Sequence, residues 1–210
     1  YIKKIITNEL LSNQYNGSGK IILYTPTWRP YKYNFPLLEL KDLNSVEQLD
    51  QYFVDNDIYF FFSIHSAFNV PDLLLGGKRI KLIDSINHNH FYDTNSFMLE
   101  VDILINDYST TTTDFAILNR PQIFFMPDFD KYEAEKGFLD NYRSIIPGKE
   151  VVSYKELTST IDIILSNREK YQNDYNQLNK RYLIDYYDSK QGDSCALFTE
   201  LVHSIMNNQN

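Results

Sequence analysis

A single cysteine, Cys195, stands among 210 residues, so no disulfide can form within the chain and a reducing compartment is expected. Glycine and proline are sparse, seven of each, and no repeat, low-complexity tract or linker divides the sequence. Positive charge is also short: 20 Lys and Arg against 28 Asp and Glu leave a net charge of −8. That balance argues against nucleic acid as a partner, since affinity for its backbone rests on basic side chains neutralising phosphates. The longest strongly apolar run, Ile58 to Ile64, is broken by Ser63 and is far shorter than the ~20 residues of a membrane-spanning helix. Neither a G-x-G-x-x-G loop nor a Walker lysine is present, which removes the common dinucleotide and P-loop sites. The chain opens on Tyr1 with no positive-then-apolar leader, and so reads as a piece of something larger.

What is present suits a globular domain: 43% of residues are hydrophobic and 23% charged. This length is about one domain and buries roughly 70% of the surface an unfolded chain exposes. Short β-rich runs alternate with helical patterns. Strands are expected at Lys20–Tyr24, Ile58–Ile64, Arg79–Ile83, Val101–Ile105 and Gln122–Met126. Helical spacing marks Ile2–Leu11, Leu37–Val54 (strongest from Ser45), Ser96–Glu100 and Thr111–Leu118. From Ser153 onward the chain reads as helical. Ser153 and Glu156 form a capping box that starts a helix running to about Leu165, and two more follow near Arg168–Tyr182 and Cys195–Met206. Such alternation predicts a doubly wound, mostly parallel α/β sheet covered on both faces.

Ligands of such sheets bind beyond the carboxyl ends of the strands. After the fourth strand come Asn106-Asp107-Tyr108-Ser109 and then four threonines, Thr110 to Thr113. A hydroxyl-rich turn entering a helix suits phosphate or pyrophosphate, through backbone N–H groups, helix dipole and O–H donors; plain helix capping is the alternative. After the first strand, Arg29 can grip an anion while Trp28 offers an apolar platform, or Trp28 is core and Arg29 a surface ion pair. His65 follows the second strand at the same edge, either as a satisfied structural histidine or as a functional group beside the hydroxyl-rich turn. His88 and His90 lack further ligands at metal-binding spacing and read as a solvated loop, so no metal is expected. Asp128, Asp130 and Glu133 after the fifth strand either hold a sugar hydroxyl or form a solvated acidic loop.

These stretches, taken in order, resemble the CDP-glycerol glycerophosphotransferases, the teichoic acid polymerase family. Ile21 to Arg29 resembles that family's ILYAPTWR segment, and Asp102 to Thr110 its DILITDYSS. Asp114-Phe115-Ala116, Arg120-Pro121, Phe124 to Tyr132, Gly137-Phe138 and Pro147-Gly148 continue in the family's order. The resemblance implies the C-terminal, nucleotide-binding domain of a GT-B transferase: a linker helix over 1–19, a motif-bearing core over 20–148 and C-terminal helices over 149–210. By that resemblance His65 matches the histidine at the donor phosphates and is the catalytic candidate. Ser109 and Thr110 match the serines that meet the pyrophosphate. The candidate donor contacts are then Thr27, Arg29, Asp107, Tyr108, Ser109, Thr110, Thr111, Thr112 and Asp130.

Three features depart from the family pattern. Ser66 replaces the proline after His65 and no arginine precedes it; Asn106 replaces a threonine; Gly192-Asp193-Ser194-Cys195 only approximates the D-G-x-x-S-x-R element. The family's H-G-T-P motif on the acceptor side is not found in these residues, so the chain alone is expected to turn over no donor. The implied activity is transfer of a polyol phosphate from CDP-glycerol or CDP-ribitol to a surface polymer at the inner face of a bacterial membrane, with no further cofactor. A nucleotide-sugar glycosyltransferase domain and a non-catalytic phosphate-binding module are the alternatives.

Overall fold

A computed structural model describes residues 18–29, 36–63, 72–83, 94–138, 141–187 and 194–207. The expected helix over 2–11, and His65, Ser66, His88, His90, Gly192 and Asp193, lie outside the described residues.

Six strands form one sheet: β1 (Lys20–Tyr24), β2 (Ile58–Phe62), β3 (Ile80–Leu82), β4 (Ile103–Asn106), β5 (Gln122–Phe125) and β6 (Gly148–Val151). Their order is β3-β2-β1-β4-β5-β6 and every pairing is parallel. The fold is the doubly wound α/β arrangement expected. Every side chain of β2, β4 and β5 is buried, as a sheet covered on both faces requires. Alternate residues serve opposite faces. Ile22, Tyr24, Phe60, Phe62, Ile103, Ile105, Ile123 and Phe125 pack against α1 (Val46–Asp55) and a later helix, Tyr154–Ser166. Ile21, Leu23, Tyr59, Phe61 and Leu104 face Phe97 and Phe115 on the other side. Burying one such Phe or Ile side chain contributes about 1.5–3 kcal/mol.

Helix α2 spans Asp72–Leu75 and α3 Thr94–Met98; α4 (Thr111–Ala116) follows β4, and α5 (Phe129–Lys136) and α6 (Tyr142–Ile145) lie between β5 and β6. Then come α7 (Tyr154–Ser166), α8 (Arg168–Tyr186) and α9 (Ser194–Asn207). Local chemistry sets the starts. Ser45 and Ser153 accept from the backbone N–H of Gln48 and Glu156, and Asn167 from that of Lys170. The return bond of the Ser153 box runs from Val152 N–H to the Glu156 carboxylate, one residue earlier than the usual pattern.

The sheet departs from expectation at β6. It carries the sheet past residue 148, where C-terminal helices alone were expected. Gly148 is required there, because a Cβ would collide with the backbone of Gln122 on β5. Helices α5 and α6 were also not foreseen. The chain leaves β1 toward β2 and β3 on one side and returns to β4, β5 and β6 on the other. The topological switch point therefore lies between β1 and β4, and the loops after these strands share its crevice.

Candidate functional site

Two loops meet at the switch point, and a buried charge network joins them. Asp107, just past β4, accepts from Thr27 N–H (3.0 and 2.9 Å), from Thr27 Oγ1 (2.6 Å) and from Arg29 Nη1 (2.5 Å). Arg29 also donates through Nε and Nη2 to the two oxygens of Asp128 at 2.8 and 3.0 Å, and through Nη1 to the Thr27 carbonyl. Arg29 is 1% exposed, while the neighbouring Trp28 is 43% exposed. The alternative of a core tryptophan and a surface ion pair thus gives way: the arginine is core, its donors facing carboxylates and a carbonyl, and the tryptophan lies outside. Burial opposes the Arg29 charge, but Asp107 and the hydrogen bond to Asp128 outweigh it and hold the guanidinium above its ordinary pKa. The guanidinium sits 5.0 Å from the Tyr108 ring centroid, and the Tyr108 hydroxyl donates to Asp128. Burial first, then the Asp128 charge, pushes the Tyr108 phenol well above its usual value. Tyr142 donates to the Asp107 carbonyl at 2.6 Å.

The hydroxyl turn is built differently. Asn106 donates to Thr112 Oγ1 and accepts from Asp107 N–H, which leaves Thr112 fully buried behind the turn. Ser109 Oγ pairs with Thr111 Oγ1 at 2.6 Å and accepts from Thr111 N–H, so it caps the entry to α4. The amides of Thr112 and Thr113 close onto the carbonyls of Ser109 and Thr110. Thr110 stands exposed at the tip, and its side chain makes no capping bond. Thr113 turns toward the long helix α8, with its hydroxyl 3.3 Å from that of Tyr182.

Beside the turn lies a cavity of about 310 Å³. Ser109, Thr110 and Thr113 form one side, and Tyr108, Tyr132, Phe138, Tyr142, Tyr182 and Tyr186 supply rings. Tyr108 stacks on Tyr132 at 4.0 Å between centroids, Phe138 on Tyr142 at 4.7 Å, and Tyr182 packs against Tyr186 at 4.7 Å.

Residues 8–195 match the family CDP-Glycerol:Poly(glycerophosphate) glycerophosphotransferase. The chain belongs to that family. Over 143 residues this glycerophosphotransferase family member is 33% identical to the teichoic acid glycerol-phosphate primase of Bacillus subtilis (strain 168), covering 68% of this chain and 35% of that protein. It is 31% identical over 197 residues to a teichoic acid poly(glycerol phosphate) polymerase of Staphylococcus epidermidis, covering 90% of this chain and 25% of that one. The structure of the wall teichoic acid polymerase TagF aligns with TM-score 0.68 and 27% identity, over 99% of this chain and 49% of that chain. The chain spans about half or less of the length of these relatives. The architecture it shares with TagF is that of a GT-B type transferase.

The family's motif residues do not all do the same thing here. The side chains of Thr27, Arg29, Asp107 and Thr112 are spent on one another and on Asp128 and Asn106. Asp130 lies at the surface with its side chain 94% exposed, 3.7 Å from Arg143. Tyr108, Ser109, Thr110 and Thr111 are brought together at the open end of the turn. Asp128 was not foreseen as the second partner of Arg29, nor were Thr113, Tyr182 and Tyr186 foreseen as lining a cavity beside the turn. The i,i+4 spacing of the last two on α8, which places both rings on one face, was the available signal. Among the described residues no cluster of three or more His, Cys, Asp or Glu could hold a metal ion, and no helix is long and apolar enough to cross a membrane.

Proposed function

We propose that this chain is the donor-binding half of a polyol-phosphate transferase. The transferase moves glycerol phosphate or a similar unit from a CDP-activated donor to a hydroxyl of a growing teichoic-acid-like or capsular polymer at the inner membrane face. The observation that carries this reading is the exposed hydroxyl turn at the switch point of a chain belonging to the glycerophosphotransferase family. Support also comes from the TagF relative, one variant of which has been solved after a CDPG soak, at TM-score 0.69 and 27% identity.

In the reaction an acceptor hydroxyl oxygen attacks the phosphorus that bears the polyol, the bond from that phosphorus to the CMP oxygen breaks, CMP leaves, and the hydroxyl proton passes to a base that, by family resemblance, the acceptor-side H-G-T-P element supplies. Charge grows on the leaving phosphate, so stabilisation and positioning are the protein's main tasks. On this reading the hydroxyls of Ser109, Thr110 and Thr111 at the open end of the turn meet that charge. His65 is the candidate catalytic group by family resemblance. Because the overall charge of −8 repels an anionic donor, binding must come from this local patch.

Thermal denaturation with added ligand tests the reading. CMP and CDP-glycerol are expected to raise the melting temperature, since a ligand held only by the folded state at 100 times its Kd adds about 2.7 kcal/mol. UDP-sugars are expected to leave it unchanged; protection by UDP-sugars instead overturns the polyol-phosphate assignment.

A further inference from the structure

The aromatic cavity has no part in the chemistry above, yet it opens directly from the turn. Ser109 and Thr110 belong to both. A phosphate seated on the turn would therefore present whatever is esterified to it at the mouth of the cavity. Among the described residues the lining holds no Asp, Glu, Lys, Arg, His, Asn or Gln. The nearby Arg143 is committed to Glu150, with Nη2 and Nε at 2.8 and 3.0 Å from its oxygens.

This composition sorts the candidate occupants. A phosphate inside would be desolvated with no cation to meet it, which is costly. A nucleobase edge presents a fixed pattern of amide-like donors and acceptors, and no carboxamide side chain is there to read it. Rings interleaved with hydroxyls suit a different chemistry: C–H faces rest on the rings, while each Ser, Thr or Tyr hydroxyl both donates and accepts.

We propose that this cavity receives a neutral polyhydroxy group, a polyol or a sugar ring, belonging either to the donor or to the end of the acceptor. The proposal rests on the donor-binding reading for the orientation of the phosphate, and on the cavity lining for everything else. Tyr186 is the side chain to change: it is 43% exposed, lies at the end of α8 and packs on Tyr182.

Calorimetric titration of the 210-residue chain with CDP, CDP-glycerol and a synthetic glycerol-phosphate trimer provides the test. In Tyr186→Ala, CDP affinity is expected to stay within about twofold while CDP-glycerol or the trimer weakens roughly fivefold or more. A loss confined to CDP-glycerol assigns the cavity to the donor's polyol, and a loss confined to the trimer assigns it to the acceptor. Tyr182→Phe, which deletes only the hydroxyl beside Thr113, is expected to show the same selectivity at about twofold to threefold. Equal weakening of CDP and CDP-glycerol overturns the proposal in favour of a base pocket, and so does an unchanged response of both variants to all three ligands. Wild-type protein that binds neither CDP compound refutes the donor-binding reading instead, and the trimer alone then decides the cavity.

Discussion

The Arg29 network and the hydroxyl turn share one sheet edge and one stretch of chain, but they differ in access to water. Arg29 and Asp107 have fully buried side chains and Asp128 is 9% exposed, with the one guanidinium shared between the two carboxylates. Thr110, three residues beyond Asp107, is open to solvent. A buried charge survives only when its partners and hydrogen bonds are complete, so it has nothing left to offer a ligand. Family motifs that look like one binding set in sequence therefore divide into a dry scaffold and a wet site. The scaffold ties the loops after β1, β4 and β5 together; the turn and cavity are what it holds in place.

The largest effect should come from breaking the scaffold. Arg29→Met removes the guanidinium that the buried Asp107 and Asp128 carboxylates share and should cost about 3–5 kcal/mol in denaturant unfolding. A cost below about 1 kcal/mol would mean that the network is solvated and the division is false. The turn should respond in the opposite way. Ser109→Ala combined with Thr110→Ala should lower CDP-glycerol affinity about tenfold, for one or two lost hydrogen bonds to a charged phosphate. Its stability cost should stay near 1 kcal/mol, the worth of one helix cap. Unchanged affinity in this variant would favour a non-catalytic module.

A smaller effect is expected where the scaffold meets the cavity. Tyr142→Phe removes the donor to the Asp107 carbonyl and should cost about 0.5–1.5 kcal/mol, measured by the same unfolding assay. Alkaline titration sharpens the comparison further. Burial raises the Tyr108 and Tyr142 phenols above their ordinary value of 10.0. The unfolded chain then ionises first, so these groups support stability fully below about pH 10 and lose it as pH rises. Absorbance at tyrosinate wavelengths should grow in two steps, with the buried fraction appearing only together with unfolding. A single step near pH 10 in folded protein would place these phenols in water.

How much of this was legible in the sequence follows from the range of each interaction. Strands β1, β2, β4 and β5 were readable because short runs rich in β-branched and aromatic residues suit buried strands. The Ser153 cap was readable because it acts over three residues. Strand β6, Gly-Lys-Glu-Val, was not: it is an edge strand with Lys149 exposed and Glu150 half-exposed, so no apolar run announces it. Helix α5 carries only Phe129 in the core and shows no apolar face. The hydroxyl turn was visible as a local composition. The burial of Arg29 was not, because its partners lie 78 and 99 residues away and nothing nearby marks them. The cavity likewise draws Tyr132, Phe138, Tyr182 and Tyr186 from separate elements that only the fold brings together.

The most direct measurement is an amide-resolved NMR titration of the 210-residue chain with CDP-glycerol. The largest shifts should fall on Ser109 to Thr113, with the Thr27–Arg29 amides moving little. Shifts concentrated on Thr27 to Arg29, or none along the turn at saturating ligand, would contradict the assignment of the diphosphate to the open half of this edge.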